Sequence, residues 1–135
     1  MSVDADLALQ RAIYAHLMSD APLGALIGAR IYDAVPGDAD FPYVTLGDAL
    51  VTAYEADEAR GAEHRLTFNV WSRAGGRTEA KSILGALNAA LHDAGLTVEG
   101  RRLVNLRFLD AETRRESDGL TWRGTIRFRA VTERS

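Results

Sequence analysis

His16, His64 and His92 are the chain's three histidines, and no cysteine accompanies them. None stands in an HExxH or His-x-His arrangement, which would bring two imidazoles to one zinc ion. Asp33, Asp38 and Asp40 offer carboxylates to a cation, but their spacing is not that of a calcium-binding EF-hand loop. No GxSxG elbow exists to present a serine nucleophile. The stretch LTFNVWSRAGGRTEAKSILGAL, residues 66–87, runs strand, glycine turn, helix, which is the order of a phosphate-binding loop. A Walker loop needs Gly-Lys-Ser/Thr after its spacer, and here a lone arginine follows the glycines. A dinucleotide fingerprint needs a third glycine that is missing. Gly75 and Gly76 therefore read as suppliers of positive backbone torsions where a strand reverses into a helix. No cofactor or metal is implied, and no catalytic residue is assigned.

The remaining chemistry is charge. Fifteen of the 16 basic residues are arginine, and Lys81 is the single lysine. Residues 1–63 hold 3 basic and 11 acidic side chains, a balance of −8, and residues 64–135 hold 13 and 8, a balance of +5. Codon bias in a GC-rich genome is one explanation of such arginine usage. A polarised chain also suits head-to-tail stacking on copies of itself, and the arginine fork pairs well with carboxylates. In the last strand, Arg123, Arg127 and Arg129 alternate with Trp122, Ile126 and Phe128. Three readings of this row stay open: a solvated sheet face, a nucleic-acid surface, and a subunit interface. Against the second stand the acidic net charge of −3 and the lack of exposed aromatic platforms between the arginines.

The elements that must position these residues follow from periodicity. A helix is expected from about Asp6 to Met18, with Leu9, Ala12, Ile13, His16 and Leu17 on one side and Asp4 or Asp6 as cap. Asp20 caps a second short helix with Pro22 in its first turn, ending near Gly28. Residues 30–35 read as extended, 41–51 as a strand, and 63–73 as a strand with Leu66, Phe68 and Val70 inward. TAYEADEARGA, 52–62, has no apolar period and is expected to be a loop that projects from the domain. Its acids Glu55, Asp57 and Glu58 join the arginines as candidate interface residues. Ala80, Ile83, Leu84, Leu87, Leu91 and Ala94 make the stripe of a third helix, with Gly95 as its C-terminal cap. Extended runs follow at 96–98, 103–113 and 120–131, with turns at Glu99-Gly100 and Ser117-Asp118-Gly119.

The result is an α+β chain: an antiparallel or mixed sheet with helices packed on one face. Its 135 residues fit one domain, 1–135, with room for one core. The N-terminus lacks a basic start and an apolar signal core, which makes the cytoplasm the default location.

Four stretches, 8–48, 60–93, 103–108 and 119–133, carry a resemblance, with IYDAVP, FPYVTLG and VWSRAGGR as its most specific pieces. Together they resemble the small tail-completion or tail-terminator proteins of long-tailed phages, in a form similar to that of alphaproteobacterial gene transfer agents. The resemblance implies a tail-terminator-like fold and a homo-hexameric ring that caps the tail tube and stops its polymerisation. It implies a tail tube protein and a head-side connector or stopper as partners, with DNA passing through the lumen without specific binding. Assembly in the host cytoplasm and residence in the tail of a phage-like particle are implied too. So is the absence of enzyme activity. A stopper of the head–tail connector and a small nucleic-acid-binding module stand as alternatives.

Overall fold

The computed structural model describes residues 2–56 and 60–134. Helix α1, Ser2–Met18, and helix α2, Ala21–Ile27, precede strands β1, Ile31–Tyr32, and β2, Tyr43–Ala53. A 3-10 turn, Tyr54–Ala56, leads towards β3, Gly61–Ser72; then come α3, Thr78–Leu91, β4, Arg101–Arg115, and β5, Trp122–Arg134.

The strands form one sheet in the order β1-β2-β3-β5-β4. Among the described residues, only the short β1–β2 pair is parallel; the other three pairs are antiparallel. Helices cover one face, as the alternation in β3 and β5 predicts. Ala5, Leu9, Ile13 and Leu17 recur at every fourth position of α1 and are buried, which is the stripe a helix lays on a sheet. Leu66, Phe68 and Val70 meet Phe128, Ile126 and Gly124 across the β3–β5 pairing. Phe68 and Phe108 both set edges against Phe128, with centroids 6.0 and 6.3 Å away, a favoured aromatic geometry. Gly124 lies under α3, where a Cβ would meet Leu84 Cδ1 at 2.9 Å.

Several local expectations are corrected. Helix α1 starts at Ser2, and Asp6 does not cap it but reaches His64 Nδ1 at 3.1 Å. The loop expected at 52–62 is shorter than that, because strand enters it from both ends: Thr52 and Ala53 belong to β2, and Gly61 and Ala62 to β3. Ala53 pairs with Ala62 and Gly61 pairs with Glu133. Small side chains hide the period there, and Gly61 is needed because a Cβ would strike the Thr132 carbonyl oxygen. Residues 96–98 form no strand: Val98 makes only an isolated bridge with Arg101 across the Gly100 turn.

Helix α3 ends at Leu91, short of Gly95. The edge of β4 draws the chain away: Asp93 N–H donates to the Leu106 carbonyl at 2.8 Å, and Phe108 N–H donates to His92 Nδ1 at 3.0 Å. Strand β5 starts at Trp122, leaving Leu120 in the turn and 65% exposed.

Candidate interaction surface

The glycine turn has a structural task. Gly75 takes φ 92, whereas Gly76 does not enter the positive region, so one glycine rather than two is required by torsion. Arg77 occupies the N-cap position of α3 and makes no side-chain cap bond. Its guanidinium lies over the Trp122 ring at 4.5 Å. Ser72 Oγ donates to Glu79 Oε1 at 2.7 Å and accepts from Ala74 N at 3.3 Å, tying the turn to the helix. Among the described residues, no three of His, Cys, Asp and Glu form a ligand-like group.

The histidines are likewise occupied. His64 is fully buried, with Asp6 on Nδ1 and Thr132 Oγ1 on Nε2 at 2.9 Å. Burial lowers its pKa, and the Asp6 contact opposes this only in part. The neutral ring satisfies both neighbours by donating to Asp6 and accepting from the threonine hydroxyl. His16 Nε2 lies 2.9 Å from the Ala90 carbonyl and links α1 to α3.

The open face of the sheet carries the arginine row. Register sets its neighbours: Trp71 faces Arg123, Asn69 faces Thr125, and Thr67 faces Arg127. Each arginine has an acid of its own chain. Arg127 donates to Asp110 at 2.8 Å, and Arg129 donates to Glu63 at 3.0 Å. Arg123 Nε lies 2.9 Å from Glu116 Oε1, an ion pair without hydrogen-bond alignment, since neither atom finds a hydrogen-bond partner. The bond from Arg129 is the main reason the Glu63 pKa is lowered, and the bond with Asp110 raises that of Arg127. The row is an internally neutralised lattice.

Half-buried aromatic rings do stand beside it. Tyr43 stacks near Trp71 at 6.4 Å and 26°, and Arg123 lies 5.7 Å from the Trp71 ring. These rings come from other strands, so no local pattern announces them. Glu55 is exposed and pairs with Arg60 at 3.0 Å, while Asp57 and Glu58 lie outside the described residues.

Two features escaped the sequence reading. Val3, Leu7, Tyr14 and Met18 are exposed on α1 and fall on one side of it, away from the buried stripe; their spacing would have revealed them. The second is the state of the sheet edges. Among the described residues, no strand covers β4 beyond Phe108, and β1 covers β2 only at Val44 and Thr45.

Such a molecule is an α+β scaffold: a mixed five-stranded sheet with helices on one face and paired acids and arginines on the other. The chain belongs to the family described as "Tail completion protein gp17", whose match spans residues 11–133. It is 32% identical over 127 residues to the tail completion protein gp17 of Bacillus phage SPP1, covering 93% of this chain and 92% of that one. Among solved structures it resembles a chain of the virion of a native gene transfer agent particle. That match has TM-score 0.88, 39% identity, and coverage of 96% and 97%. It also resembles the structure of bacteriophage SPP1 gp17, with TM-score 0.66, 30% identity, and coverage of 96% and 94%.

Proposed function

We propose that this protein is a structural tail-completion component of a phage-like particle and performs no catalysis. Six copies form a ring on the end of the tail tube. The ring stops tube polymerisation and offers the head-side connector a docking surface, while DNA passes through the lumen without specific binding. One observation carries the reading: the likeness to a gene transfer agent virion chain extends over nearly the full length of both chains. The paired acids and arginines of the open sheet face support it, because a neutralised polar surface holds DNA weakly.

The chain has a mass of 14.7 kDa, so native mass spectrometry with and without tail tubes tests the ring directly. A species of six chain masses is expected in at least one condition. Single chains in both conditions, or steep salt-dependent binding to free DNA, would speak for another role.

A further inference from the structure

We infer that the two edges of the sheet are the two halves of the contact between neighbouring copies, β4 of one chain docking against the β1–β2 edge of the next. This rests on the ring reading and names its interface. A closed ring needs one patch to meet a different patch, and the edges supply such a pair in backbone, direction and charge.

The backbone comes first. His92 and Asp93 close the middle of the β4 edge at Phe108 and Leu106, which leaves 109–115 without an outer strand. On the opposite side, 46–53 of β2 lies beyond the reach of β1. Open edges present unpaired N–H and C=O groups that template pairing. Each also bears an exposed apolar side chain, Leu109 at 39% and Leu50 at 58% exposure.

Direction comes second. Three successive antiparallel pairings make β4 run opposite to β2. A copy set alongside in the same orientation therefore brings the two edges together antiparallel; at equal height 109–111 meets the open start of β2 at 46–48, and 112–115 meets the stretch that β1 covers.

Charge comes third. Beside the open part of β4, Arg77 and Lys81 share a groove with Glu112 and Thr113, and Arg115 lies over Trp122 at 5.1 Å. Glu112 is already held by Arg114 at 2.9 Å, so these three cations have no carboxylate of their own among the described residues. Asp33, Asp38 and Asp40, between β1 and β2, are exposed at the other edge and have no ion-pair partner among the described residues, whereas Asp48 faces the groove that Arg123 and Arg127 line. Unpaired cations at one end and unpaired carboxylates at the other favour head-to-tail contact and oppose like-with-like contact.

The test uses the single lysine. Carbodiimide coupling of the chain assembled on tail tubes should yield covalent multimers in which Lys81 is joined to Asp33, Asp38 or Asp40 of another copy. Two exposed double variants complete it: Lys81→Glu with Arg115→Glu, and Asp33→Arg with Asp40→Arg. Each alone should weaken ring formation by about tenfold or more at low salt, with an unchanged melting temperature. An equimolar mixture should restore the ring, because alternating copies then match at every edge. Rings that form normally from either variant, or Lys81 coupled to acids elsewhere, would overturn the edge pairing and leave the ring standing. If the unaltered chain gives only single-copy mass, alone and on tubes, the ring reading itself falls and the edge inference with it.

Discussion

Individual titrating side chains set how this fold responds to acid. His64 has its pKa lowered by burial, while the unfolded chain keeps the ordinary value of about 6.5. The unfolded state then binds the proton more readily, so stability falls as pH drops below that value. Urea melts at pH 7 and pH 5 should show this loss, and His64→Gln should remove much of it while costing about 1–3 kcal/mol at pH 7. A second, more acidic loss comes from carboxylates with lowered pKa. Asp118 is held down at about 2 because it accepts from the Thr121 N–H and hydroxyl and from Leu120 N–H. Its contribution is complete above the ordinary carboxylate range and disappears as pH falls towards 2. Asp118→Ala should flatten that lower limb, read as melting temperature against pH.

The arginine row belongs at the same scale. Each exposed pair is worth about 0–1 kcal/mol, so Arg127→Ala or Arg129→Ala should be mild in a melt. Reversing both to glutamate sets them against Asp110 and Glu63 of the same chain. The double variant should therefore lose melting temperature in a salt-sensitive way, besides any effect on assembly. Unchanged melting and normal assembly at low and high salt would reduce the row to a solvated face.

At the scale of elements, most of the architecture is written in apolar periodicity and capping. The α3 stripe, the Asp20 cap whose carboxylate accepts from Leu23 N at 3.0 Å, and the inward side of β3 were all legible. What was hidden depends on distant chain. The early end of α3 is made by β4, and the long β2–β3 hairpin is held by β5 against Gly61. Pairing between strands leaves no local mark when the side chains are small. The candidate surface was half legible: the arginines were visible, but their acids arrive from three other segments.

Gly75 and Gly76 separate torsion from composition. Gly75→Ala forces an L-residue to φ 92 and should cost about 1–2 kcal/mol, whereas Gly76→Ala should be close to neutral. Equal losses in denaturant melts would mean that Gly76 has a role torsion does not explain. Gly61→Ala should be worse than either, since the clash is with backbone rather than with a flexible side chain.

Across the whole molecule, one face of the sheet is sealed by helices, the other is polar and internally neutralised, and the two edges differ in charge. A single copy buries its core completely yet leaves its edges open, as expected of a part rather than a finished assembly. Shortening the hairpin tip at 54–60 should leave the fold standing, because β2 and β3 are paired up to Ala53 and Ala62, and Gly61 is held by β5. Unjoined heads or overlong tubes in electron micrographs would then place the tip, with Glu55, in tail joining; normal particles would remove it from the mechanism.

The most direct test of the central claim is a reconstruction of an intact particle at the junction of tail tube and head-side connector. Six copies of this chain closed into one ring at the end of the tube are predicted. A junction without the chain, or the chain repeated along the tube, would contradict the account.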